Sequence, residues 1–162
     1  MKKIMILGKN TTIMEQEADR DSIQFKDDEI SIKSYKKPAI SLLSGFLADL
    51  LYSELFKIYE QMKKSQGIEV LGDLDFEIVD KIDNKNQRVA KLKGNKILVK
   101  LNAVVLPEEA LKYVIAHEIA HILTKRHTKK FWKVVETIYP DFKIGQKLLF
   151  EHKGLVYNTL LP

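Results

Sequence analysis

The sequence predicts an α+β fold in a single domain. Alternating apolar positions dominate the opening third, and helical spacing takes over across residues 38–64. After two further strand-like runs the pattern is helical to the end. No repeat, low-complexity tract or Pro/Gly/Ser linker divides the 162 residues. One domain over 1–162 is therefore expected, with an N-terminal β region at 1–36 and a core at 37–162.

The elements follow in order. The start, "MKKIMILGKN", has an apolar run too short for a signal-peptide core and no small-residue cleavage site after it, so it reads as a first strand. In "SIQFKDDEISIKS", Ile23 and Phe25 share one face, and Ile30 and Ile32 share one after an Asp27-Asp28 turn: a hairpin. Leu43, Phe46, Leu47, Leu50, Leu51, Leu55, Ile58, Tyr59 and Met62 then recur at helical spacing, on a wide apolar face that a sheet or other helices must cover. "FEIVDKI" and "KILVKLNAVVL" read as strands, with loops at 84–86 and 93–95. Pro107 opens the helix "PEEALKYVIAHEIAHIL", Thr128 caps another through Ile138, and Pro140-Asp141 opens the last. No stretch approaches ~18 uncharged apolar residues, so no membrane span is expected.

Composition narrows the chemistry. The chain has no cysteine, which removes disulfides, thiolate ligands and a cysteine nucleophile and favours the cytoplasm. There is no glycine-rich phosphate loop and no serine–histidine–aspartate arrangement, so nucleotide kinases and serine hydrolases are poor candidates. The net charge of +5 comes mainly from lysine, and it suits either an ordinary solvated surface or a polyanionic partner such as DNA.

The chemistry concentrates in "AHEIAHILTKRHTKKFW". His117 and His121 are four residues apart, so both imidazoles leave one helix face about 40° apart, where one metal ion can touch both. Glu118 lies about 100° from His117 and cannot easily ligate with them, yet it can address a water held by the metal. This is the mechanical content of the His-Glu-x-x-His zinc-protease signature, and far fewer than one chance match is expected in a chain with four histidines. Leu111, Ile115, Ile119 and Ile122 form a core-facing ridge with Glu118 at its edge, a partly dry place that suits a general base. Catalytic zinc usually takes three protein ligands and keeps a fourth position open. His127, six residues past His121 and just before the Thr128 cap, is the third candidate. Two core histidines beside a surface glutamate, and a structural zinc clip completed from afar by His152, are the competing readings.

"LPEEALKYVIAHEIAHILTKRHTKKFW", followed by "YPDF", resembles the YgjP-like (SprT-related) zinc metallopeptidases. The pattern falls on Leu106-Pro107, Tyr113-Val114, His117 to His121, His127 and Phe131-Trp132. The resemblance implies a compact zincin-like α+β domain, one Zn²⁺ per chain on His117, His121 and His127, Glu118 as general base, and a peptide or protein substrate. Such families often carry Arg-Trp-Gly-Ser-Cys before the metal helix; here "NQRVAKLKGNK" keeps only Arg88 of it. The tail "EHKGLVYNTLLP" has no counterpart. The same His-Glu-x-x-His-x5-His spacing occurs in proteases that clear DNA–protein crosslinks.

Other residues have two readings each. Tyr113 either packs in the core or donates to a developing oxyanion, and Asn102 and Arg88 are candidate groove residues. Lys125, Arg126, Lys129, Lys130 and Lys133 form either a solvated surface or a polyanion contact. Phe131, Trp132, Val135 and Ile138 are expected to dock their helix, with Trp132 also propping His127. Peptide hydrolysis is the leading expectation. A DNA-associated protease or DNA-binding factor, and a metal-dependent hydrolase of a nucleotide phosphoanhydride, are the alternatives.

Overall fold

The computed structural model describes residues 2–66, 73–83 and 88–157. Its first strands, β1 (Lys2–Ile6) and β2 (Lys9–Glu17), form a hairpin around Leu7 and Gly8, both at positive φ, as tight two-residue turns require. β3 (Ser22–Lys26) and β4 (Glu29–Ser34) form the expected second hairpin, pairing Phe25 with Ile30 and Ile23 with Ile32. Asp27 and Asp28 both sit at positive φ, which aspartate tolerates better than most residues. β4 inserts beside β2 in parallel, giving the order β1-β2-β4-β3. β2 leaves little trace in the sequence, because Thr11 and Ile13 are its only buried positions in nine residues and polar neighbours mask the alternation.

α1 (Ala39–Gln66) lies between this sheet and a second one. Leu47, Leu51 and Leu55 are fully buried along its inner face. By length and composition α1 could cross a membrane, yet these leucines belong to the core that joins the two sheets. The second sheet has the order β5-β7-β6, from β5 (Asp75–Val79), β6 (Ala90–Lys93) and β7 (Lys96–Lys100). Gly94 at positive φ makes the β6–β7 turn, so Lys93 is strand and not loop, and β5 stops three residues short of the expected end at Ile82. The expected loop at 84–86 lies outside the described residues.

The run "KILVKLNAVVL" is not one strand. After β7 the chain tightens into a 3-10 turn, Leu101–Val105, in which Leu101, Ala103, Val104 and Val105 are buried. A continuous apolar run reads the same whether it is a buried strand or a buried turn, which is why spacing alone misled. This turn anchors the first hairpin, since Leu7 N–H donates to the Val104 carbonyl (2.7 Å) and Gly8 N–H to that of Val105 (2.9 Å). A side chain at position 8 would also meet Pro107 at 3.0 Å, so the hairpin tip buttresses the start of the next helix.

That helix is α2 (Glu108–Leu123). Glu108 and Glu109 in its first turn complement the positive end of its dipole. α3 (Lys129–Ile138) and α4 (Phe142–Tyr157) follow as expected. Thr128 caps α3 by accepting from the Phe131 N–H, and Phe131, Val135 and Ile138 enter the core. α4 packs along α2 so closely at Gly145 that an added Cβ would sit 2.3 Å from the Glu109 carbonyl and 2.8 Å from Tyr113 Cβ.

Candidate metal centre

α2 supplies His117 and His121 from one face, both half-buried. Their rings are 4.8 Å apart between centroids. α2 ends at Leu123 and Thr124 is extended, after which the chain reverses within three residues to the Thr128 cap. The amphipathic α3 docks its apolar stripe beside α2 and so draws the exposed His127 back over the two helical histidines. Ring centroids of His127 lie 5.1 Å from His117 and 4.9 Å from His121, and the Nε2 atoms of His121 and His127 are 3.2 Å apart. One ligand nitrogen from each residue lies within 4.8 Å of the others. No fourth histidine or carboxylate joins this group among the described residues, and His152 instead turns its Nδ1 to the Leu148 carbonyl.

Phe131 is the floor beneath all three, with its ring 4.7 Å from His121, 4.7 Å from His127 and 5.2 Å from His117. Trp132 stands beside it, 5.9 Å from His127 and 6.3 Å from His117. The site therefore sits on an aromatic shelf that limits how far each imidazole can swing. Burial holds the His121 pKa below its usual 6.5, and the neighbouring His117 lowers it further. Both effects favour the neutral imidazole, the form that binds metal.

Glu118 is 6 % exposed, with Oε1 3.5 Å from Nδ1 of His117, and its carboxylate is not a member of the ligand group. Tyr113 is buried with its ring 5.8 Å from that of His117. Its hydroxyl accepts from Nε2 of Gln146 on α4 at 3.2 Å, and burial raises its pKa. Nothing in the sequence pointed to Gln146, a contact across 33 residues that exists only once α4 has packed.

The other candidates are engaged elsewhere or face water. Asn102 donates to the Val156 carbonyl at 3.0 Å and ties the 3-10 turn to α4. Arg88 donates to the Ala90 carbonyl and reaches Asp83 at 3.7 Å, at the entry to β6. Lys125, Arg126, Lys129, Lys130 and Lys133 are all exposed.

A family model for the YgjP-like metallopeptidase domain matches residues 1–152, from the first strand into α4. The chain belongs to the YgjP-like metallopeptidase family. No curated protein and no solved structure matches it. In this YgjP-like chain the three clustered imidazoles are compatible with the metal ion that a metallopeptidase domain uses. They fit it by chemistry as well as by distance, since an all-imidazole set of three suits a borderline divalent ion of low coordination number.

Proposed function

We propose that the chain is a zinc-dependent peptidase in which His117, His121 and His127 hold the ion and Glu118 is the general base. The observation that carries this reading is the convergence of three imidazole nitrogens within 4.8 Å beside a carboxylate excluded from their group and nearly shielded from water. A zinc ion on three neutral imidazoles keeps its full positive charge and supplies Lewis acidity towards water and the scissile carbonyl. Glu118 accepts the proton of the attacking water and returns it to the departing amine, work worth roughly 10²–10⁴ in rate. Phe131 and Trp132 hold the imidazoles in register. Tyr113, fixed by Gln146, steadies His117 from the α4 side.

Substrate has a natural place to lie. Among the described residues β6 is an edge strand, and it packs against α2, so its open side offers main-chain donors and acceptors to an extended peptide.

Metal analysis of the purified chain, paired with His127→Ala, tests the ligand set. The wild type should carry one equivalent of zinc. The variant should bind it more weakly by more than the roughly 10–100-fold that losing a ligand's hydrogen-bond partner costs. Equal affinity would remove His127 from the site. Assays on peptides and on nucleoside triphosphates with the zinc-loaded chain separate the reaction classes, and turnover of triphosphates alone would overturn the peptidase reading.

A further inference from the structure

Charge is distributed unevenly along this chain, and the division follows the site. Residues 84–107 and 119–135 contain none of the 22 acidic residues and eleven of the 27 basic ones. The net +5 thus divides into +11 in these two stretches and −6 in the rest of the chain. The first stretch includes β6, β7 and the 3-10 turn; the second includes the end of α2, the link bearing His127, and the first seven residues of α3. The second stretch carries His121 and His127 themselves, and in the first β6 packs against α2, the helix that bears His117 and His121.

On α3 and in the link before it the basic groups are also uncommitted, whereas Arg88 and Lys91 at β6 both pair with Asp83. Helices α1, α2 and α4 each hold at least one lysine–glutamate pair at helical spacing, as Lys57–Glu54, Lys112–Glu109 and Lys147–Glu151 do. On α3, Lys129, Lys130 and Lys133 have no ion pair among the described residues, although Glu136 lies three residues beyond Lys133. Lys125 and Arg126 sit in the link that ends at His127 and are likewise exposed and unpaired. On α3, Trp132 faces His117 and His127, and Lys129 lies about 60° further round the same side. On β6, which packs against α2, Lys93 is exposed.

We propose that the site selects acidic peptide segments, with Lys125, Arg126, Lys129 and Lys133 binding carboxylates that flank the scissile bond. The proposal rests on the peptidase reading above and adds its substrate class. An extended peptide laid along β6 would run beside the basic wall that the link and α3 form. Acidic residues on either side of the bond find unpaired cations there, whereas a basic peptide is repelled. This basic wall would also attract a nucleic acid backbone, and that alternative is an arm of the test.

The test uses the zinc-loaded full chain and three peptides with one central sequence, flanked by glutamates, by serines or by lysines. At low salt the glutamate-flanked peptide should be cleaved with kcat/KM about tenfold or more above the lysine-flanked one, since several modest exposed pairs act together. The ratio should shrink towards one near 1 M salt, where the screening length falls to ~3 Å. Combined reversal at Lys125→Glu, Lys129→Glu and Lys133→Glu should invert the preference. Equal turnover of all three peptides overturns the proposal and leaves the peptidase reading standing. Salt-sensitive binding of the glutamate-flanked peptide to the Glu118→Gln chain, with no peptide cleaved by the wild type, supports the acidic docking site and removes the peptidase reading. No binding and no cleavage overturns both. Displacement of the acidic peptide by duplex DNA at lower concentration assigns the basic wall to nucleic acid and overturns the proposal.

Discussion

Burial and the neighbouring His117 hold the His121 imidazole below its ordinary pKa of 6.5, which links metal binding and stability to pH. As pH falls below about 6.5, the unfolded chain takes up a proton at this residue that the folded chain refuses. The metal-free protein therefore loses stability in the window below 6.5 and down to the depressed folded value. Urea midpoints of the metal-free chain at pH about 7.5 and about 5.5 should differ more for the wild type than for His121→Asn. An identical pH response in the two would show that burial does not act on this group. The spacing of His117, Glu118 and His121 was legible in the sequence because i and i+4 positions share a helix face whatever the rest of the fold does. Gln146 and the engagement of Asn102 with Val156 were not, because both depend on where α4 lands.

At the scale of elements, the site depends on how α2 is held at each end. Its start is gripped by the hairpin tip at Gly8 and by Tyr139, whose hydroxyl donates to the Glu109 carboxylate. That hydrogen bond is the largest influence lowering the Glu109 pKa. Its side is gripped by α4 at Gly145. Replacing Gly145 with alanine places a methyl group where the Glu109 carbonyl and Tyr113 already lie, so α4 must retreat. We expect Gly145→Ala to cost about 1–3 kcal/mol in denaturant unfolding, a typical overpacking penalty. It should also lower zinc affinity, because Tyr113 supports His117. Unchanged stability would mean that the two helices are not in close contact. The helices were readable because each carries a marker at its start: Pro107 before α2, the Thr128 cap before α3 and Pro140 before α4. β2 was not, since its pairing on both edges is decided by β1 and by the inserted β4 and not by its own residues.

At the scale of the whole molecule, α1 joins two sheets that share one apolar core, and the second sheet carries the strand beside the metal helix. The α+β class was visible in the change from alternation to helical spacing. The order of strands was not, because β4 beside β2 and β7 beside β5 are parallel pairings over long connections that leave no local trace. The division of charge is also a whole-molecule property. It could be counted in the sequence, but it acquires meaning only when the basic link and α3 fold beside the histidines.

The central claim is that three imidazoles hold a metal ion while Glu118 moves the proton. It is tested most directly by replacing Glu118 with glutamine and measuring zinc content and peptide hydrolysis on the same preparation. An unchanged equivalent of zinc is expected, with turnover reduced by at least about a hundredfold, the lower end of a general base's contribution. Hydrolysis at the wild-type rate by a variant that retains its zinc would contradict it.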